Sequence, residues 1–514
     1  MKKIIILALV LVIAAGTLMA GGGRDTAAPV RENRDRLVVA TAAMARNLDP
    51  ALSNDMPSAR IHNQIYDTLV VADYDMSILP SLAYRWVFDS PTALRMFLRR
   101  DIRFHNNDVL TARDVQFTLE RAAVSPEIAH ITGMIRNVQV VNDHEVVINL
   151  QYPYAPFLSN LAHTASSIVN QRALTAMGET AHSLNPVGTG PYRVTNVVTG
   201  DRIELTRWDG YHGTPAIIRD VVVRVIPDPP TRLLELETGG IDIYWELHVA
   251  PQDIPRAQAH PHINVMSGPA LSLTYIGFNT LNPPLNDMRV RQAIIYALDL
   301  DAINRVAYAG LGSTGQAPLN PTVWGSAAGR LPPYQFNQAR ARQLLAEAGH
   351  PNGFATTIFV NENQARIDTA EIMQGMLAQV GIRAEVRIVE WGAYLDMTSR
   401  RDGGHTMFIL GWNTVTGDPD YGLYSLFHSS MHGAPGNRMF YTNAQVDRLL
   451  DAGRQETNPA RREQIYFEAQ QIIHREAPWI SQWNAENVHG LRSDVRGYRL
   501  HPNGRERLWL LSFE

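Results

Sequence analysis

The sequence predicts an α/β fold, because amphipathic helices are followed directly by short alternating strands and the chain is rich in apolar residues. In the clearest case, a helix that begins at Arg366 carries apolar residues on one side and stops at Gly381, and segment 383–388 then alternates charged and apolar residues. A helix followed by a short strand is typical of layered α/β folds. Hydrophobic residues make up 45% of the 514 residues, which is enough for roughly two to four domains of about 100–200 residues each.

Cap and turn residues predict further elements of this fold. These elements are a helix opened by Thr111 and Asp114, a hairpin of residues 138–141 and 145–150 around Asn142-Asp143, a helix from Asn337 to Gly349, and a helix opened by Asn458-Pro459. They extend the α/β interpretation over most of the chain.

The N-terminal 22 residues predict a secretory signal peptide. Met1-Lys2-Lys3 is followed by an apolar run from Ile4 to Ala15 and by small residues, and the run is shorter than the ~20 residues of a membrane span. Cleavage is expected after Ala20 or after Gly22, with residues 23–36 as a linker. The alternative is an uncleaved anchor helix.

Two missing residue types exclude several mechanisms. The chain has no cysteine, and its two lysines, Lys2 and Lys3, both lie in the predicted signal, so the net charge of −4 becomes 44 − 50 = −6 after cleavage. A Cys-linked lipid anchor, a Walker lysine, a Schiff base and a thiolate nucleophile are therefore excluded from the mature chain. An acidic surface also disfavours nucleic acid as a partner. We expect a protein without stable membrane insertion.

Two short motifs have alternative interpretations. Residues 310–315 match G-x-G-x-x-G, but they follow a helical pattern and precede prolines, so they predict a flexible loop rather than a dinucleotide site. His428 and His432 stand four residues apart, as metal ligands on a helix would, but the local Ser and Gly content favours surface histidines.

Aromatic residues beside amides suggest a ligand cleft between residues 391 and 424. Trp391, Trp412 with Asn413, Tyr421 and Tyr424 all fall near predicted strand ends or turns. Packing in a core is the alternative for any single one of them.

The chain also carries a series of short motifs over nearly its whole mature length. In order, these are Leu48-Asp49-Pro50, Tyr66-Asp67-Thr68-Leu69, Leu79-Pro80-Ser81-Leu82-Ala83, Leu110-Thr111-Ala112-Arg113-Asp114-Val115, Val187-Gly188-Thr189-Gly190-Pro191-Tyr192, Phe278-Asn279-Thr280, Arg289-Val290-Arg291-Gln292-Ala293, Glu390-Trp391-Gly392, Gly411-Trp412 and Asp418-Pro419-Asp420. In this order they resemble the family 5 solute-binding proteins of ABC importers, which include dipeptide, oligopeptide and nickel receptors.

The resemblance implies a two-lobed periplasmic-binding-protein fold of the type II, cluster C form, with the ligand buried between the lobes. It places lobe 1 at residues 37–280 plus 486–514, with an extra subdomain at 61–185, and lobe 2 at residues 281–485.

Two departures from the family pattern bear on the ligand. Peptide receptors of this family have an acidic residue three positions after the motif Trp, where it meets the peptide amine, and here that position is Val415. The arginine that dipeptide receptors use for the peptide carboxylate is expected near residues 360–363, which contain none. A buried charge without a partner is costly, so the usual zwitterionic dipeptide pose is disfavoured.

The predicted function is therefore a periplasmic, monomeric receptor that captures oligopeptide-sized or neutral peptides and delivers them to the permease of an ABC importer. No catalysis, cofactor or metal is expected. Alternatives are an oligosaccharide receptor of the same family, an exported hydrolase and a metal-complex receptor. The predicted ligand-binding residues are Ser53, Asn54, Asn279, Asn361, Trp412, Asn413, Val415 and Tyr424.

Overall fold

The computed structural model describes residues 35–433 and 436–514, and the predicted signal peptide and nearly all of the linker lie outside this range. The strands are β1 Arg36–Thr41, β2 Val70–Ala72, β3 Ile78–Pro80, β4 Ala83–Ser90, β5 Ala93–Leu98, β6 Ile135–Asn142, β7 Glu145–Leu150, β8 Tyr192–Val198, β9 Arg202–Arg207, β10 Asp220–Val225, β11 Ile243–Tyr244, β12 Ile263–Phe278, β13 Ser313–Thr314, β14 Ala355–Asn361, β15 Arg383–Val389, β16 Met407–Asn413, β17 Trp479–Arg492, β18 Val495–Arg496 and β19 Ser512–Phe513. The α-helices are α1 Met56–Ile65, α2 Ala112–Ala123, α3 Ala129–Thr132, α4 Phe157–Leu161, α5 Gln171–Met177, α6 Glu179–His182, α7 Pro229–Thr238, α8 Ile254–Ala259, α9 Met288–Ala297, α10 Leu300–Ala307, α11 Gln338–Glu347, α12 Gln364–Ala378, α13 Trp391–Ser399, α14 Pro419–Phe427, α15 Ala444–Gln455 and α16 Pro459–Glu476.

The largest sheet runs through both lobes. Its strand order is β15-β14-β16-β12-β17-β11-β1-β10-β9-β8, and β13 adds to β17. The pairs β14/β15 and β1/β10 are parallel, whereas the central pair β12/β17 is antiparallel. The two long central strands therefore connect a lobe 2 sheet on one side to a lobe 1 sheet on the other.

The crossing point is marked by a break in strand register. β12 pairs continuously with β17 from Ile263 to Pro269, the register then shifts, and pairing resumes at Leu273. An unpaired stretch of this kind bends a strand and increases its twist. The segment 270–272 is therefore a local break in the pairing of the two central strands.

Lobe 2 buries both faces of its sheet. Ile358 and Ile409 face one core together with α9 and α12, while Phe359 and Phe408 face a second core with α14 and α16. This alternation follows from the period of two along a strand. Because both faces are covered by helices, the inner strands β14 and β16 contain continuous apolar runs at residues 358–360 and 407–410, whereas the edge strand β15 alternates charged and apolar residues.

The extra subdomain contains its own antiparallel sheet, β4-β5-β7-β6, with α2 packed on one face. The predicted hairpin is confirmed as β6 and β7. The predicted cap of α2 is confirmed too, since the backbone N–H and the hydroxyl of Thr111 both donate to the Asp114 carboxylate. The predicted boundaries of the lobes and of the subdomain remain predictions.

The Gly-Thr-Gly segment of the longest motif has a packing role. A Cβ at Gly188 would lie 1.9 Å from the carbonyl oxygen of Ile65, and one at Gly190 would lie 2.6 Å from the carbonyl carbon of Ile65. Only glycine permits this approach to the end of α1. Between the two glycines, the Thr189 hydroxyl donates to Asp67 at 2.8 Å.

The loop at residues 310–315 is anchored rather than free. Ser313 and Thr314 form β13, which pairs with β17. Gly312 has φ of +67°, and a Cβ there would lie 2.3 Å from the carbonyl oxygen of Asn484. The segment does not run into a helix, as a dinucleotide fingerprint would, and its short strand pairs with the sheet.

Candidate ligand-binding cleft

A cavity of about 250 Å³ lies at the crossing point of the two lobes. Its walls come from β12, β16 and β17, from the start of α12, and from His248 in lobe 1. The lining residues are His248, Ser272, Leu273, Thr274, Tyr308, Asn363, Ala365, Arg366, Gly411, Trp412, Asn413, Trp483 and Ala485. This is the position at which a ligand would contact both lobes.

Trp412 and Asn413 line this cavity with unused polar atoms. They end β16, and Trp412 is paired with Leu273 of β12 in the sheet. The indole Nε1 of Trp412 and the Oδ1 of Asn413 are buried, and neither forms a hydrogen bond with a described residue. Buried polar groups are normally satisfied, so these atoms can serve a bound ligand as donor and acceptor. Both were predicted from the sequence as ligand-binding residues.

An aromatic wall faces the cavity from the other side. The rings of Tyr308 and Trp483 stack with centroids 3.9 Å apart, and the Trp483 indole donates to the carbonyl of Leu311 at 2.6 Å. Because this bond occupies the indole N–H, the two stacked rings present an apolar surface to the cavity. The sequence analysis missed both residues, because they lie on separate elements, one just after α10 and the other in β17.

Arg366 is the single charged side chain among the described residues that line the cavity. Asn363 caps α12, so Arg366 stands in the first turn, where its guanidinium donates to Oδ1 of Asn361 at 2.7 Å. It approaches the cavity over Gly411, where a Cβ would lie 3.1 Å from a guanidinium nitrogen. Arg366 lies three residues beyond the segment 360–363 in which an arginine was expected. Burial lowers the pKa of the second ionisable group of the lining, His248.

Val415 lies beside the cavity in an apolar contact between the lobes. With Tyr421 of lobe 2 it packs against Ala51, Ile128 and Ala165 of lobe 1. Its side chain is 8% exposed and is not part of the described lining.

Asn54 belongs to the same interlobe contact as Tyr421. Its amide lies 3.0 Å from Nε2 of His130, and it donates to the Tyr421 hydroxyl at 3.4 Å. The Tyr421 ring in turn lies 5.5 Å from the Trp412 ring. Asn54 is therefore connected to the lining residue Trp412 through Tyr421.

A polar contact also joins the subdomain to lobe 2. The Tyr154 hydroxyl donates to the Asp420 carboxylate at 2.6 Å, and Arg454 donates to the same carboxylate at 3.1 and 3.2 Å. Burial, with the nearby Asp420 charge, raises the pKa of Tyr154 well above its usual range. The Asp418-Pro419-Asp420 motif thus has two tasks, because Asp418 caps α14 and Asp420 holds this interlobe contact.

Four other predicted residues lie outside the described lining. Asn279 is fully buried in a turn, where its amide donates to the His405 carbonyl. Ser53 is buried and donates to the carbonyl of Asn47. Tyr424 stacks on His428 at 4.2 Å with Arg454 over its ring. Asn361 reaches the cavity only through Arg366.

Trp391, which the sequence grouped with the aromatic cleft residues, is 44% exposed at the start of α13. The prediction of a surface position is wrong for His428, which is 8% exposed. Nδ1 of His428 lies 2.7 Å from the Ser430 hydroxyl, and Nε2 of His432 lies 3.0 Å from the Tyr441 carbonyl. No group of metal-binding side chains occurs in the described parts of the chain.

A larger cavity, of about 380 Å³, is lined by residues between 295 and 481. All of them fall within the predicted bounds of lobe 2. Across residues 35–433 and 436–514, no helix has both the length and the apolar character that a membrane span requires.

Comparison with known proteins agrees with this architecture. Residues 77–433 match the family model of bacterial extracellular solute-binding proteins, family 5. The chain is 30% identical over 514 residues to the glutathione-binding protein GsiB of Pectobacterium atrosepticum, covering 98% of this chain and 97% of the relative.

Two solved structures are similar over almost their whole length. The periplasmic binding protein DppA of Helicobacter pylori, in complex with peptide STSA, has a TM-score of 0.85 and 30% identity and covers 93% of this chain and 98% of its own. The dipeptide-binding protein of Pseudoalteromonas sp. SM9913, in complex with Met-Leu, has a TM-score of 0.85 and 25% identity, with coverage of 93% and 100%.

The fold and the interlobe cavity define a two-lobed solute-binding protein. The chain belongs to family 5 of the bacterial extracellular solute-binding proteins, the substrate receptors of ABC importers. The family and the two-lobed fold expected from the sequence motifs are thereby confirmed.

Proposed function

We propose that this protein is a periplasmic receptor that binds a short peptide through its C-terminal carboxylate and delivers it unchanged to the permease of an ABC importer. The observation that carries the proposal is the position of Arg366, the one permanently charged side chain among the described residues of the lining, which otherwise present aromatic, imidazole, amide, hydroxyl and apolar groups. A guanidinium suits a carboxylate because its parallel N–H groups match the two oxygens.

The volume of the cavity favours a short ligand. About 250 Å³ lies just below the roughly 300–1,000 Å³ of ordinary small-molecule sites. A cavity of this volume suits a peptide of a few residues better than the oligopeptide-sized ligand expected from the sequence. The printed functions of the relatives support the class, since they bind glutathione, a tetrapeptide and a dipeptide.

The amino end of the peptide contributes little in this proposal. No carboxylate occurs among the described residues of the lining, and Val415 supplies none beside it. A free ammonium would therefore be desolvated without a partner. We expect an N-acetylated peptide to bind about as tightly as the free one.

Export and processing belong to the same proposal. The mature protein is expected to be a periplasmic monomer that begins at Gly21 or Gly23, which N-terminal sequencing and light scattering would test. The relatives are described as binding proteins, which supports a role without catalysis. A ligand pool consumed in proportion to protein concentration would contradict that role.

Titration calorimetry of Arg366→Gln tests the carboxylate site. The wild type should prefer a peptide with a free C-terminus to its C-terminal amide by about 10–100-fold, the range of a charge-assisted hydrogen bond. Arg366→Gln should bind the two forms equally. Arg383→Gln, at an exposed arginine of the neighbouring strand β15, is the matched control and should keep the preference. Equal affinity for both forms in the wild type would contradict the proposal.

A further inference from the structure

A second cavity, of about 240 Å³, is lined by residues that fall within the predicted lobe 1. Arg505 lines it together with Thr164, Ser167 and Arg507. Arg505 is 6% exposed, and no ion pair joins it to a carboxylate of the described residues. A buried cation without a counter-ion is rare, because its desolvation is not compensated.

The guanidinium of Arg505 has too few hydrogen-bond acceptors for its N–H groups. Its Nε is buried and forms no hydrogen bond with a described residue. One terminal nitrogen lies 2.9 Å from Nε2 of His163, while Nδ1 of the same ring accepts the backbone N–H of Ala165 at 3.0 Å. A neutral imidazole has one acceptor nitrogen. If Nε2 carries the proton, it faces an N–H of Arg505, and if Nδ1 carries it, it faces the backbone N–H of Ala165. An additional acceptor between Arg505 and His163 would remove this contact between two donors.

The acid of this cavity does not supply that acceptor. Asp67 accepts from the hydroxyls of Thr189 at 2.8 Å and Tyr211 at 3.4 Å. Arg507 lies 3.3 Å from Asp73, so its charge is balanced. Arg99, the third arginine of the described lining, forms an ion pair with Asp101 at 2.5 Å. Arg505 is therefore the one arginine of the described lining without a carboxylate partner, and burial lowers its pKa to about 10, which keeps it cationic at neutral pH.

We propose that Arg505 and His163 form an anion site that accepts a carboxylate-type oxyanion. The His163 ring stacks on Tyr421 of lobe 2 at 6.0 Å, and Tyr421 lies beside Trp412, so the site adjoins the lobe contact next to the ligand cavity. The oxyanion is either a free small anion or a second carboxylate of the transported ligand, at the end away from Arg366. The second source rests on the proposed function, whereas the first does not.

Thermal unfolding in acetate tests the site without any peptide. Protein freed of ligand by unfolding and refolding is melted in increasing sodium acetate, with sodium chloride keeping the ionic strength constant. The wild type should show a rise in Tm that saturates with acetate, and Arg505→Gln should show none. Without acetate, Arg505→Gln should be at least as stable as the wild type, because it removes an uncompensated buried charge.

Peptide binding distinguishes the two sources. Titration calorimetry compares N-acetyl-Ala-Phe with N-succinyl-Ala-Phe, which differ by a carboxylate at the amino end. If the ligand supplies the oxyanion, the succinyl form should bind the wild type at least about tenfold more tightly, and Arg505→Gln should abolish the difference. If the anion is free, only the acetate response should depend on Arg505.

Arg499→Gln is the matched control, because it removes the same charge from an exposed position of the same segment. It should retain every response of the wild type. If Arg505→Gln does not fold, Arg505→Lys replaces it. An ammonium lacks the planar pair of donors, so the acetate concentration at half the Tm shift should rise severalfold.

A wild type with neither an acetate response nor a succinyl preference would overturn the anion site, as would responses that survive in Arg505→Gln. Failure of the N-acetyl and free peptides to bind the wild type would instead contradict the proposed function. The acetate titration would then still decide the anion site.

Discussion

Glu506 should make the protein less stable as the pH rises toward neutrality. Its side chain is 1% exposed, and neither carboxylate oxygen forms a hydrogen bond with a described residue. Burial raises its pKa from 4.5 to about 7, despite the nearby positive charge of Arg60. Arg60 already forms an ion pair with Glu246 at 2.8 Å.

The sign and the size follow from linkage between ionisation and folding. Below pH 4.5 the carboxyl is protonated in both states and has no effect. Between pH 4.5 and about 7 the unfolded chain loses the proton while the folded protein keeps it, so the free energy of unfolding falls with rising pH. The raised pKa of Glu506 implies a total of (7 − 4.5) × 1.36, or about 3 kcal/mol.

The measurement is the free energy of unfolding in urea at several pH values from 4.5 to 8 for wild type and Glu506→Gln. The stability of the variant relative to wild type should rise with pH by about 3 kcal/mol and level off above pH 7. Glu371→Gln, at an exposed position of α12, should follow the wild type at every pH. Parallel profiles for wild type and Glu506→Gln would refute the assigned shift.

Two further predictions concern the cleft. Trp412→Ala should weaken ligand binding by about 1.5–3 kcal/mol through lost apolar contact, which titration calorimetry would measure. The variant should still fold, as circular dichroism would show. Unchanged affinity would mean that the ligand does not contact the indole. Tyr154→Phe should raise Kd by roughly 5–30-fold, because it removes the hydrogen bond to Asp420 that joins the lobes, which is worth about 1–2 kcal/mol. The control variant Tyr152→Phe should bind with the wild-type affinity. Equal affinities of the two variants would contradict a role of this contact in closure.

Local signals in the sequence were sufficient for many of the elements. Thr111 with Asp114, Asn337 and Asn458-Pro459 open helices where expected, because a cap needs only a side chain and the backbone a few residues away. The ordered motifs were sufficient for the family and its two-lobed fold, and they included Trp412, which lies in the cavity.

The limits of sequence reasoning show in Asn279 and Arg366. Asn279 belongs to a family motif, yet its side-chain amide donates to the His405 carbonyl within a buried turn. Arg366 lies beyond the window in which an arginine was expected, but one turn of helix from Asn363 brings it over Gly411 and into the cavity. A window along the chain measures distance in residues, whereas a site is defined by distance in space.

The sequence by itself determined many of the elements, the family, the absence of cysteine and the restriction of lysine to positions 2 and 3. Only the tertiary structure decided which side chains meet at the cavity. Its walls come from segments as far apart as His248 and Trp483, and they meet because β12 and β17 cross between the lobes with a break in their register. Arg505 shows the same limit, since the packing of residues distant in sequence leaves it without a carboxylate partner among the residues that the structure describes. Such pairings are set by long-range packing, on which local patterns carry no information.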